Sequence, residues 1–177
     1  SGHCIEGVLV EEGDEAAKVG LVDETLEQQL YKEMAELNKY GRDIMMKYDV
    51  HSCTDITGFG LMGHAYEMAS GSGMTIHLDM NNMPYHKEAI EMAKQGFIPA
   101  GAYRNRDYTD GHVRTEGPIS EAELDILYDP QTSGGLMIAV SEKDAPALEK
   151  ELSDNLPCGK IIGYVTAKEG TDLMVRK

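Results

Sequence analysis

Tryptophan is absent from the 177 residues, phenylalanine occurs twice and cysteine three times. The cysteines, Cys4, Cys53 and Cys158, are odd in number and scattered, with no CxxC pair. That spacing excludes a disulfide framework and a structural zinc knuckle, and it suits a reducing, cytoplasmic setting. Basic side chains are also scarce, 16 against 31 acidic, for a formal charge of -15. Such a surface repels nucleic acid and anionic lipid unless a basic patch overrides it, and the sequence holds none. No apolar run approaches the roughly 20 residues of a membrane span, and the N-terminus lacks the basic, apolar and small-residue order of a signal peptide. The pattern GxxxxGK[ST] is missing, which excludes a P-loop. What is present is 41% hydrophobic content in a length that suits one globular domain, and the chain reads as soluble.

Residues 1–20 are rich in glycine and acid, keep neither helical nor strand period, and read as an arm or linker; residues 21–177 read as the domain. Val22, Leu26, Leu30, Met34 and Leu37 recur at helical spacing behind Asp23 and Glu24, and Gly41 marks a break before a second helix with Ile44, Met45 and Tyr48. Val50 to Thr54 reads as a strand, followed by a helix with Leu61, Ala65 and Met68 that stops at Gly71-Ser72-Gly73. Met74 to Leu78 is a further strand and Tyr85 to Gln95 a helix burying Ala89, Met92 and Ala93. Gly96 to Gly117 shows no period and is expected to be irregular. Ser120-Glu121-Ala122-Glu123 is a capping-box pattern opening a short helix to Leu127. Leu136 to Val140, Lys160 to Val165 and Asp172 to Val175 are strands, with a helix through Ala145, Leu148 and Leu152 between the first two. This order predicts an α+β domain, a mixed sheet with helices packed against it.

The segment from His51 to His64, HSCTDITGFGLMGH, joins a strand to a helix. Gly58, Gly60 and Gly63 let backbone approach a ligand, and the helix starting near Gly60 aims free N–H groups and its positive dipole end at an anion. Asp55 adds a hard oxygen ligand of the kind Mg2+ takes beside phosphate oxygens, so the segment describes a phosphate-plus-metal corner. The plain alternative is a tight turn whose glycines serve packing and whose aspartate caps it. The same glycines satisfy GxGxxG, with Asp79 placed to hold a ribose hydroxyl, a dinucleotide-binding reading kept as a minor alternative. Asp55 counts against it, since a carboxylate there repels a pyrophosphate bound without metal.

Two further segments stand out. Asp129-Pro130-Gln131-Thr132-Ser133-Gly134-Gly135 leads into an apolar strand and is either a grip for phosphate or for a neighbouring domain, or a turn held by its own hydrogen bonds. Tyr103-Arg104-Asn105-Arg106 places two arginines in an acidic chain; phosphate is one partner for them and ordinary salt bridges the plainer one. His51, Cys53 and His64 sketch a soft metal site without the helical spacing that would support it.

The segments His51 to His64 and Asp129 to Leu136, in this order, resemble the two signatures of the selenophosphate synthetases, and Tyr103 to Arg106 between them and Leu37-Asn38-Lys39 before the first are also similar to that family. The resemblance runs from about Val19 to the end. It implies a fold of the aminoimidazole ribonucleotide synthetase C-terminal type packing on an ATP-binding N-terminal half, a homodimer in the full-length enzyme, and a reaction that turns selenide, ATP and water into selenophosphate, AMP and phosphate with Mg2+. By the same match, Asp55 corresponds to a magnesium ligand, which agrees with Gly58 and Gly60 as the nucleotide-binding glycines of the corner read above, and Gly2 and His3 resemble the GGH segment that touches ATP, with Ser1 replacing a glycine.

The family's N-terminal half, with its reactive cysteine or selenocysteine, its lysine and several magnesium-binding aspartates, has no counterpart in these residues, and Cys4 lies in a different setting from that nucleophile. The chain alone is therefore expected to be catalytically silent. The competing expectation is a non-catalytic module that docks on a full-length partner.

Overall fold

The computed structural model describes residues 2–5 and 24–177. Most of the arm expected over residues 1–20 lies outside them; residues 2–5 form a strand, β1 (Gly2–Ile5). Two helices follow, α1 (Glu24–Ala35) and α2 (Asn38–Met45). The break between them falls at residues 36–37, not at Gly41, which sits buried inside α2. Leu37, expected on the apolar face of the first helix, is 58% exposed in that break. Leu30 is buried, and the α1 residue Glu33 accepts a hydrogen bond at 2.8 Å from His86, both side chains largely covered.

The rest is β2 (Val50–Asp55), α3 (Gly60–Ser72), β3 (Met74–Asp79), a 3₁₀ turn (Met80–Asn82), α4 (Lys87–Lys94), α5 (Ala100–Tyr108), β4 (Val113–Glu116), α6 (Glu121–Leu127), β5 (Leu136–Ser141), α7 (Ala145–Asn155), β6 (Gly163–Ala167) and β7 (Leu173–Arg176). The stretch expected to be irregular, residues 96–117, holds α5 and β4 instead. Composition hid the helix: α5 is AGAYRNRDY, with buried Ala102 and Asn105 as its only fully covered side chains, so no apolar stripe announces it.

The described strands form two sheets. One is three-stranded and antiparallel in the order β1-β5-β2; the other is four-stranded and mixed in the order β4-β7-β3-β6. In the mixed sheet β3 and β4 both run parallel to β7, and β6 runs antiparallel to β3. Strand β5 is covered on both faces, which explains its nearly continuous apolar run. Leu136, Ile138 and Val140 pack on Ile44 and Met45 of α2 and on Ala145, Leu148 and Leu152 of α7. Met137 points the other way into the larger core, where Leu61, Met62 and Ala65 of α3 meet Ile76 and Leu78 of β3, Leu173 and Val175 of β7, and Ile126 and Leu127 of α6. Helix α3 ends as expected, at Gly73 in the left-handed conformation with φ 65°.

The capping box of α6 is formed. The Ser120 hydroxyl accepts from the Glu123 N–H at 3.3 Å, and the Glu123 carboxylate accepts from the Ser120 N–H at 2.9 Å. Lys177 also donates to Glu123. Lys177 first, and the Ser120 N–H and hydroxyl after it, hold the Glu123 carboxyl down to about 2 from its ordinary 4.5. A carboxyl lowered in the folded state stabilises fully above about pH 4.5 and loses that contribution as pH falls toward 2. Glu123→Gln is therefore expected to cost roughly 1–2 kcal/mol at pH 7, discounted for the partly exposed lysine, and nothing comparable at pH 2.5. Urea melts at the two pH values measure the difference.

Candidate functional site

Strand β2 ends at Asp55, opposite Leu136 of β5. Beyond it the first signature interlocks with the second. The Ile56 N–H donates to the Gly135 carbonyl at 2.9 Å. The Thr57 carbonyl accepts from both Gly60 N–H, at 2.9 Å, and Gln131 N–H, at 3.1 Å. Gly60 has φ +65°, and a Cβ there would lie 2.8 Å from the Tyr128 carbonyl carbon and oxygen. At Gly134 a Cβ would run into the Ile56 carbonyl oxygen. Both glycines are thus required by the contact between the loops, which for Gly60 gives the packing role expected from sequence a direct physical basis.

Asn105 ties the same junction from the side. It is 4% exposed, and its amide donates to the Gly58 carbonyl at 3.0 Å and to the Tyr128 carbonyl at 2.9 Å. Asn38, at the start of α2, donates to the Gly134 carbonyl at 2.9 Å. Within the second loop, the Gln131 amide donates to the buried Asp129 carboxylate at 2.6 Å. Neither Asn38 nor Asn105 stands out in the sequence from the stretches that contain them. An asparagine has no periodic signal, and its two roles as bridge between separate loops exist only once the chain has folded. Asn105→Ala leaves two carbonyls with a lost donor, and a cost of about 1–3 kcal/mol in thermal or urea unfolding is expected.

Not every glycine is enclosed. Gly58 is exposed, with nothing within 4 Å of where a Cβ would be. Asp55 is also exposed, and among the described residues no cation forms an ion pair with it. Beside Gly58, Phe59 stacks on Tyr108 at 5.3 Å between centroids, and both rings are partly open to solvent. Gly101 of α5 lies against Pro130, where a Cβ would meet the ring at 2.7 Å. The corner therefore has a rigid floor of crossed hydrogen bonds and an open rim carrying one carboxylate.

The two arginines of α5 separate. Arg106 is bound to Asp125 at 2.7 Å and lies over the Tyr128 ring, the salt bridge expected. Arg104 is exposed. His64 has both ring nitrogens engaged, at 3.1 Å from the Thr57 hydroxyl and 3.1 Å from Glu67, while His51 is exposed on β2. Among the described residues no group of three or more His, Cys, Asp or Glu is placed to hold a metal ion. Asp55 fits Mg2+ only as a single ligand, which matches the way that ion is held by one or two carboxylates with phosphate and water. Gly2 and His3 lie in β1, paired with Ser141 and Val140.

The topology speaks against a dinucleotide fold. That fold needs a parallel crossover within one sheet, whereas β2 and β3, joined by α3, belong to different sheets. Asp79, the ribose candidate, accepts from the Asn81 N–H at 2.9 Å and from the Asn82 amide at 3.0 Å. An apolar cavity of about 170 Å³ between the sheets, lined by Met68, Met74, Ile76 and Val165 among others, includes His51 and Ser52 but no residue of the glycine corner. Among the described residues no helix is long and apolar enough to cross a membrane.

A family model described as AIR synthase related protein, C-terminal domain, matches residues 2–176. The selenide, water dikinase of Treponema denticola is 50% identical over 150 residues, 82% of this chain and 42% of the relative. Selenide, water dikinase 2 of Peptoclostridium acidaminophilum is 45% identical over 162 residues, 89% of this chain and 46% of the relative. The chain spans less than half the length of these curated relatives. Among solved structures, E. coli HypE matches with a TM-score of 0.65 at 17% identity, over 97% of this chain and 45% of that one. Thiamine-monophosphate kinase from Stenotrophomonas maltophilia matches with a TM-score of 0.55 at 13% identity, over 98% of this chain and 48% of that one. These two share the fold alone. The resemblance to selenophosphate synthetases read from the two signatures is borne out by the 45–50% identical relatives. With its α+β architecture and a match over nearly its whole length, the chain belongs to the AIR synthase related family, as the C-terminal domain of that family.

Proposed function

We propose that this chain is the C-terminal half of an ATP-dependent selenophosphate synthetase, which converts selenide, ATP and water to selenophosphate, AMP and phosphate. The likeness to selenide, water dikinases supplies the reaction. The observation that carries the site is Asp55, an exposed carboxylate with no described cation partner, fixed at the rim of a corner that two interlocked loops hold rigid. A carboxylate left bare beside an open glycine, Gly58, is suited to one side of a cation whose other ligands are phosphate oxygens. Bound Mg2+ would neutralise charge on the transferring phosphoryl group. Asp55 orients that charge relative to the domain; Gly58 permits close backbone approach; Gly60 and Gly134 keep the two loops in contact behind them. Gly2 and His3 are assigned to the nucleotide by the family resemblance.

The nucleophile and the other metal ligands belong to an N-terminal half that docks over this rim, in a homodimeric, cytoplasmic enzyme. Partly exposed Phe59 and Tyr108 at the rim suit such a covering surface. Mixing this chain with the separately produced N-terminal half tests the reading by AMP formation from selenide and Mg-ATP. Activity restored on mixing supports it. Binding of the two halves without activity favours the non-catalytic docking module instead.

A further inference from the structure

We propose that Arg104 is a phosphate-binding residue of the same corner, a second contact for the nucleotide's phosphate oxygens beside the cation that Asp55 would hold. This rests on the nucleotide reading of the corner given above.

Helix α5 lies across the interlocked loops. Gly101 touches Pro130, Asn105 holds the Gly58 and Tyr128 carbonyls, and Tyr108 stacks on Phe59. At 100° per residue, positions 101, 104, 105 and 108 share one face, so Arg104 falls on the stripe that borders both loops. It occupies the solvent edge of that stripe, exposed, while Asn105 next to it is buried.

The charge pattern isolates it. The chain carries 31 acidic side chains, and the neighbouring arginine, Arg106, is bound to one of them at 2.7 Å. No described carboxylate pairs with Arg104, although in so acidic a protein a cation ordinarily meets one. Lys32, Lys87 and Arg114 are likewise exposed without a described ion pair, but they sit on α1, α4 and β4, none of which has a described hydrogen bond to the two loops. Of these four, only Arg104 adjoins in sequence the asparagine, Asn105, whose amide holds the Gly58 carbonyl.

The chemistry matches that place. A phosphate drawn toward the Asp55 carboxylate through a cation brings several negative oxygens to the rim, and one divalent ion leaves part of that charge uncompensated. A guanidinium donates two parallel hydrogen bonds to such oxygens and keeps its charge at every working pH. Its planar fork is less strongly hydrated than an ammonium, so less is lost when the site closes.

The test uses the full-length protein with Arg104→Ala and Arg104→Lys, beside Asp55→Ala. Calorimetry measures affinity for Mg-ATP and for Mg-pyrophosphate, and steady-state assays give KM for ATP and for selenide. Arg104→Ala is expected to weaken both Mg-ATP and Mg-pyrophosphate binding at least about 10-fold, as for loss of a charge-assisted pair. KM for ATP rises with it and KM for selenide does not; the lysine variant recovers part of the loss; and the melting temperature stays unchanged. Wild-type affinity for both probes in Arg104→Ala, with binding lost in Asp55→Ala, overturns the inference and leaves the corner reading standing. Wild-type affinity in both alanine variants overturns both. A lowered melting temperature in Arg104→Ala that tracks its affinity loss assigns the arginine to structure and also overturns the inference.

Discussion

Asp55→Ala in the full-length protein is expected to cut turnover at least about 100-fold while leaving the melting temperature unchanged, the size of loss typical of removing a group aimed at developing charge. The two halves of that result come from separate features. Stability is indifferent because the side chain is exposed and no described group forms an ion pair with it. Activity is expected to depend on it because it is proposed to hold the cation, at the exposed end of β2 three residues before the open Gly58. Asp55→Asn keeps the shape and removes the charge, so it is expected to fail almost as badly and to shift the Mg2+ requirement upward. The measurement is AMP release against Mg2+ concentration, with a thermal melt of each variant. Near-normal turnover in Asp55→Ala would reduce the residue to a strand end.

Gly60→Ala and Gly134→Ala are expected to show the reverse profile, a large loss of stability. At Gly60 the left-handed φ of +65° and a contact 2.8 Å from the Tyr128 backbone act together. The first costs an L-residue about 1–2 kcal/mol and the overpacking about 1–3 more. At Gly134 the obstruction is the Ile56 carbonyl, backbone that cannot move without breaking the hydrogen bond from Ile56 to Gly135. For a domain of this size roughly 3 kcal/mol lowers the melting temperature by about 10 °C. Gly58→Ala, with open space at its Cβ, is the control and is expected to melt as the parent does. Equal melting temperatures for all three variants would show that the loops are not held by this contact.

How far the sequence could be read follows from what each element's signal depends on. Helix α3 and its stop at Gly73 were legible because Leu61, Ala65 and a left-handed glycine cap are local features. The capping box at Ser120 was legible for the same reason, four residues defining two hydrogen bonds. Helix α5 was not, because its buried face is made of Gly101, Ala102 and Asn105, which carry no hydrophobic period; it is held by tertiary contacts. The break at Leu37 was misplaced because Gly41 is a poor helix former on its own, yet it lies buried inside α2. At the site, Asp55 and the glycines could be named from residue type. Which glycine is open and which is enclosed could not, since the enclosure of Gly60 comes from the backbone of the distant Tyr128. The division of strands into two sheets was equally hidden, because it depends on pairing partners far apart in the chain.

The reciprocal seating of the two signature loops has a consequence for engineering. Each loop is the mould for the other: the Thr57 carbonyl takes a donor from Gln131, and Gly134 leaves room for Ile56. Grafting a single loop from a distant member of the fold would bring a surface shaped for a counterpart that is missing, however well the graft suited its substrate. Chimeras across this fold should exchange both loops as a pair, together with the α5 segment whose asparagine staples them.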